Sequence, residues 1–304
     1  MNTPLTAVAG SISGASEVAS RVPVGTQDFE IPGPIGKISV RLYLPAGIPS
    51  LPVVVYFHGG GFVGGTLDDA DATARFIAAN CPALVLCVAY ALAPARPFPA
   101  APEDAYAATL WIARNAARYG ADRRRLAVAG DDAGGNLAAC LTLIARDRNE
   151  PRIAAQVLIG PMLDPSMTLL GDAVRLKSDM TAEDCSKCYR QYLPNSLQRM
   201  HPYAAPLESR RLAGLPAALI ATAEFDVLHN EAEKYAASLI AAGVHTQVAR
   251  FAGIKHAGLG KHPPVLCEVT EFLRRRLVAR PELPNKQSSK QSTKQPNKQL
   301  KDPS

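Results

Sequence analysis

Five short apolar runs alternate along this 304-residue chain with segments of helical period, and that alternation restricts the fold more than any other feature. The runs are Val53–Phe57, Ala83–Tyr90, Arg125–Gly130, Ala155–Gly160 and Ala217–Thr222. A strand that is apolar on both sides needs cover on both faces of its sheet, as in a parallel sheet sandwiched between helices. Ile38–Leu44 alternates polar and apolar residues, which suits an antiparallel strand nearer the edge, and His245–Phe251 reads as a last strand. Helices are expected near Ala70–Asn80, Pro102–Tyr119, Gly135–Arg148, Asn230–Ala242 and Pro264–Leu277. In the second of these, Tyr106, Leu110 and Ile112 beside Trp111 mark a core-facing side. The expected class is α/β, a mostly parallel central sheet flanked by helices, and 47% hydrophobic residues are ample for its core.

Residues 164–206 break the alternation, and an insertion there suits a small helical cap over a site at the strand ends. Residues 1–30 are expected to form an N-terminal cap segment, 31–280 the main domain, and 281–304 a disordered tail. Lysine recurs in that tail at 286, 290, 294 and 298, with almost no apolar side chain to bury. The net charge of +6 would suit a polyanion binder, but its location argues otherwise. From Asn285 onward five lysines face one aspartate, so the tail carries four of the six charges and the body only two. A nearly balanced body offers no footprint for nucleic acid.

The first 21 residues hold no positive residue before Arg21 and no long apolar stretch, and no later segment approaches a membrane span. The expected setting is therefore the cytoplasm. Six scattered cysteines do not read as a disulfide framework in a chain of this length. Cys185-Ser-Lys-Cys188 is a lone C-x-x-C; zinc would need two further ligands, and only His201 is near in sequence. Helix packing is the expectation there, with no metal and no cofactor.

Gly130-Asp131-Asp132-Ala133-Gly134-Gly135 follows one apolar run and opens a helix. This is the strand–turn–helix setting of a nucleophile elbow, written G-x-D-x-G where the common form is G-x-S-x-G. Glycines at 130 and 134 let strand and helix approach closely, and the positive end of the following helix favours an anion at Asp132. His58-Gly59-Gly60-Gly61 follows another run, and such a loop aims backbone N–H groups at an oxygen that becomes negative.

The order H-G-G-G-F, Y-x-L-A-P-x-x-P-F-P, G-D-x-A-G-G-N-L, L-P-x-A-L-I-x-T-A-E-x-D and H-A-G resembles the bacterial hormone-sensitive-lipase family of carboxylesterases, which have the α/β-hydrolase fold. Here these motifs stand at His58–Phe62, Tyr90–Pro99, Gly130–Leu137, Leu215–Asp226 and His256–Gly258. The resemblance implies a catalytic set of Asp132, Asp226 and His256, in the chain order nucleophile, acid, base. It implies Gly59, Gly60 and Ala133 as oxyanion donors, and hydrolysis of a small ester or related acyl or alkyl compound. The partner is then a small-molecule substrate or ligand; a homodimer is compatible with this reading, and nucleic acid and membrane are not expected.

Two departures bear on that reading. Where the family carries serine this chain has Asp132, already ionised and a weaker nucleophile toward esters. Aspartate does serve as nucleophile in other α/β-hydrolases, the haloalkane dehalogenases and epoxide hydrolases, where it attacks saturated carbon. The alternative is a catalytically silent homologue that binds a small ligand with Asp132 and His256 as an ion pair. The second departure is Tyr90-Ala91-Leu92-Ala93-Pro94-Ala95-Arg96, which lacks the Arg and Glu of the family's Y-R-L-A-P-E-H.

Overall fold

All seven residues of β3 (Leu51–Phe57) and all five of β4 (Leu84–Val88) are buried, as are all five of β6 (Ala155–Ile159). They form the middle of an eight-stranded sheet in a computed structural model that describes residues 22–277. The other strands are β1 (Val24–Gly33), β2 (Gly36–Pro45), β5 (Ala121–Asp131), β7 (Ala217–Phe225) and β8 (Thr246–Lys255), in the order β1-β2-β4-β3-β5-β6-β7-β8. β1, β2 and β4 pair antiparallel, and every pairing from β4 through β8 is parallel.

Helices cover both faces, which is why the central strands carry no polar alternation. On one face α1 (Leu67–Asn80) and α8 (Pro263–Arg276) place Ala74, Ile77, Val269 and Phe272 against Val54, Tyr56, Val85 and Cys87. On the other, α2 (Ala100–Asn115), α3 (Ala133–Asp147) and α6 (His229–Ala241) pack Ala105, Leu137 and Tyr235 with Val53, Val55 and Leu86. Burying each such Val or Leu side chain contributes roughly 1.5–3 kcal/mol. A Thr66–Asp69 capping box starts α1 and satisfies backbone donors that would otherwise lie open at the helix end.

The N-terminal expectation is corrected in part. Residues 24–30, grouped with a cap segment, belong to β1, which pairs with β2 along its whole length at the sheet edge. Four consecutive residues of β1 are exposed, so the strand has little apolar signature, and Phe29 anchors it against Trp111 at 5.5 Å between ring centroids. Residues 1–21 and the Lys/Gln-rich stretch 281–304 lie outside the described residues. Segment 164–206 contains two short helices, α4 (Ala173–Leu176) and α5 (Ala182–Tyr192). The Tyr90–Pro99 loop holds the buried carboxylate of Asp104, which accepts from the Ala91 N–H at 3.0 Å and Arg96 at 3.2 Å. Arg96 thus supplies the cation that faces this carboxylate. Among the described residues no helix is long and apolar enough to cross a membrane.

Candidate active site

The parallel strands end at one edge of the sheet, where α/β proteins place their sites. Asp132 stands between β5 and α3 with φ 52° and ψ −117°, a conformation that costs an L-residue about 1–3 kcal/mol. The glycines around it make this turn possible. A Cβ on Gly134 would lie 2.0 Å from the Phe57 carbonyl oxygen, and one on Gly130 would lie 2.3 Å from that of Gly134. Asp132 Nα donates to the Ile159 carbonyl at 2.9 Å, tying the apex to β6.

Asp226 follows β7 and His256 follows β8, at the start of the short helix α7 (His256–Leu259). Nδ1 of His256 lies 2.8 Å from Asp226 Oδ2, and Asp226 Oδ1 accepts from the Leu228 N–H at 2.9 Å. Nε2 lies 3.7 Å from Asp132 Oδ1, beyond hydrogen-bond length. All three predicted residues therefore meet. Burial opposes a charge on His256, but the hydrogen bond and charge of Asp226, followed by the charges of Asp132 and Asp131, outweigh it and push the imidazole up to about 9.

The two oxygens of Asp132 have unlike surroundings. Oδ2 accepts from the N–H groups of Gly60, at 2.9 Å, and Gly61, at 2.7 Å. Oδ1 is buried with no hydrogen-bond partner. Of the expected donors only Gly60 holds this oxygen; Gly61, not singled out in the sequence, is the second. Its signal was the third glycine of the H-G-G-G run, but which amides converge depends on the turn, where Gly60 and Gly61 have φ +115° and +59°. Gly59 instead backs onto Asp131, whose Oδ2 would lie 2.6 Å from any Cβ there. Ala133 is buried as the first residue of α3.

Asp131 is a further residue that motif reading passed over. Its side chain lines the same cavity, and Tyr56 Oη donates to it at 2.7 Å. Burial, assisted by the charge of Asp132 and resisted by the Tyr56 hydrogen bond, pushes its carboxyl up to about 6. The cavity measures about 470 Å³, with an apolar wall of Ile159, Met162 and Leu259. Segment 164–206 adds Met180, Asp184, Cys185 and Cys188 to its lining. The C-x-x-C pair thus packs at the cavity, while His201 lies against the rings of Phe98 and Tyr203. Among the described residues no group of three His, Cys, Asp or Glu side chains is arranged to hold a metal ion.

The chain is similar to known proteins in sequence and in fold. The sequence pattern of the alpha/beta hydrolase fold family matches residues 54–259. Esterase LipI of Mycobacterium tuberculosis is 39% identical over 257 residues, 83% of this chain and 80% of that protein. An arylesterase of Saccharolobus solfataricus is 34% identical over 244 residues, 78% of each. A solved hyperthermophilic esterase from Pyrobaculum calidifontis superposes with a TM-score of 0.80 at 38% identity, over 85% of this chain and 88% of its own. With these relatives, fold and motifs together, the chain belongs to the α/β-hydrolase fold family and within it to the hormone-sensitive-lipase type of carboxylesterases.

Proposed function

We propose that the protein is a hydrolase of small, uncharged acyl or alkyl compounds in which Asp132 Oδ1 is the nucleophile. His256 moves the proton, Asp226 orients His256 through Nδ1, and the N–H groups of Gly60 and Gly61 serve as the oxyanion hole. Segment 164–206 acts as the cap. One observation carries this reading: a single carboxylate has one oxygen held by two amides and the other bare, buried and facing an imidazole. Buried carboxylate oxygens are ordinarily hydrogen-bonded, and Oδ1 is left bare where it faces the imidazole. Asp69, Asp131, Asp132 and Asp184 line the cavity against Lys261 and the imidazole of His256, an acidic balance that disfavours anionic substrates.

A ligand-binding homologue without turnover is the second reading, favoured by the proximity of an imidazolium to Asp132. Initial rates separate the two. Small nitrophenyl esters and small alkyl electrophiles should be turned over by the native chain and lost on His256→Ala and on Asp132→Ala. Tight binding of such compounds with no turnover in any form would support the silent homologue. The proposed setting is the cytoplasm, since all six cysteines are unpaired, as suits a reducing compartment. A homodimer is proposed through the open edge of β8, the last strand of the sheet.

A further inference from the structure

Asp132, Asp226 and His256 come from the ends of three different strands, and one short segment meets all of them. Residues 159–163 are the end of β6 and the loop after it. The Asp132 N–H donates to the Ile159 carbonyl at 2.9 Å, and the Met162 N–H donates to the Asp132 carbonyl at 3.2 Å. The apex is thus tied to this segment at both of its backbone polar groups. Gly160, at φ +50°, lies against the orienting pair: a Cβ there would stand 3.4 Å from Asp226 Oδ2 and 3.4 Å from His256 Nδ1. The segment therefore sets the elbow and the pair relative to each other.

Two side chains hold the segment in turn. Asn136, on α3, donates from Nδ2 to the Met162 carbonyl at 2.7 Å. Glu231 accepts from the Leu163 N–H through Oε1 at 2.5 Å. Glu231 stands in the first turn of α6, the helix that follows Asp226 in the chain. Just before that helix, the Leu228 N–H holds Asp226 Oδ1 at 2.9 Å. The bond from Glu231 to Leu163 thus fastens the chain that carries the orienting acid to the segment that carries the elbow.

Glu231 is wholly buried and does not line the cavity, so it meets no substrate. Burial pushes its carboxyl well above the ordinary carboxylate range; the Leu163 hydrogen bond resists, and the charges of Asp164 and Asp226 add to the rise. Its Oε2 has no hydrogen-bond partner. A carboxyl is an expensive group to bury with so little compensation, and the contact that it does make is the one to Leu163.

We infer that Glu231 is a positioning residue, whose bond to the Leu163 N–H fixes the placement of the Asp226–His256 pair against the Asp132 elbow. Without an acceptor for Leu163, the segment and α6 are free to part. His256 then loses its hold at Nδ1 and its 3.7 Å approach to Asp132 Oδ1. A displacement of about 1 Å at such a site costs on the order of 10²-fold in rate. The placement itself does not depend on turnover; only this kinetic consequence rests on the proposed hydrolase.

The test uses full-length protein labelled with ¹⁵N-histidine, with the imidazole signals of His256 assigned through His256→Ala. Glu231→Met fills similar space without an acceptor, whereas Glu231→Gln keeps one in a neutral side chain. Glu231→Gln is expected to retain the native His256 Nδ1 shift and the native kcat. In Glu231→Met the Nδ1 shift should move toward that of a free imidazole, and kcat on 4-nitrophenyl butyrate should fall about 10²-fold with KM little changed. Circular dichroism is the folding control. Should Glu231→Met not fold, Glu231→Asp takes its place with the same expected direction, because the shorter side chain draws the carboxyl back from Leu163. An unchanged Nδ1 shift in the folded variant would overturn the inference. So would an equal change in Glu231→Gln, since the amide keeps the bond. No turnover in the native protein would overturn the proposed hydrolase instead, and the imidazole signals would still decide the role of Glu231.

Discussion

Two carboxylates approach opposite edges of one imidazole, and they are held in opposite ways. Asp226, wholly buried after β7, spends one oxygen on His256 Nδ1 at 2.8 Å and the other on the Leu228 N–H. Asp132, after β5, spends one oxygen on two amides and keeps the other bare, 3.7 Å from Nε2. A fully satisfied carboxylate cannot react without losing its bonds, so its work is to orient. A half-satisfied one stores the cost of an unmade hydrogen bond, about 1–3 kcal/mol, in the atom that faces the cavity. The contrast assigns orientation to the late-strand side of the site and reactivity to the elbow.

The largest effect is expected where the comparison says that identity at position 132 should not matter. Asp226→Asn should lower turnover by about 10³–10⁴-fold, whichever substrate is used, because it leaves the imidazole in the wrong tautomer. The measurement is kcat with unchanged circular dichroism as the folding control. A loss below about tenfold would mean that Asp226 is structural. Asp132→Ser should then sharpen the other half. It frees the amides of Gly60 and Gly61 and supplies a hydroxyl, so kcat/KM on 4-nitrophenyl butyrate should rise about 10²–10³-fold. No rise would show that the remaining site is not an esterase site blocked by its own carboxylate.

The strand ends and the elbow were legible in the sequence because their physics is local. An apolar run such as Val53–Phe57 needs two covered faces, and glycines are demanded at 130 and 134 because a Cβ there would lie 2.0–2.3 Å from a carbonyl oxygen. Features set by several elements at once were not legible. The choice of Gly61 over Gly59 rests on two positive φ angles within one turn. The Arg96–Asp104 pair joins a loop to α2 and has no spacing that marks it. β1 escaped notice because an edge strand has only one neighbour and exposes most of its residues. Which oxygen of Asp132 is satisfied is a question of contact that no linear pattern contains.

His256 offers a smaller test of the same contrast. Its pKa is raised in the folded protein, to about 9 from an ordinary 6.5, so its contribution to stability is fully present below pH 6.5 and is lost as pH rises through 9. Folding stability, read from thermal midpoints, should fall across that window by on the order of 3 kcal/mol. Asp132→Asn removes one flanking charge and should shift the thermal transition to lower pH, with Asp226 and Asp131 left to sustain the imidazolium. A pH-independent midpoint from 6.5 to 9.5 would break the account of the pair.

The smallest expected effect concerns Asp131, the third carboxylate, which has neither role. It neither orients the imidazole nor faces it with a bare oxygen, and Tyr56 occupies one of its acceptors at 2.7 Å. Its carboxyl titrates near 6 in the folded chain, well above the ordinary 3.8, so folding favours the protonated acid. The stabilising contribution of that neutral form is lost as pH rises through 6, and above it the protein carries a buried charge next to Asp132. Asp131→Asn keeps an acceptor for Tyr56 and removes the charge. It should therefore stabilise the fold at pH 7.5 by on the order of 3 kcal/mol, by about half of that at pH 5, and change little below pH 3.8, as read from thermal midpoints. Because Asp131 is also one of the charges that raise His256, the variant should move the histidine transition slightly downward. Destabilisation at pH 7.5 would instead mean that the anionic form is needed, giving the site a third working carboxylate beside the orienting and the reactive one.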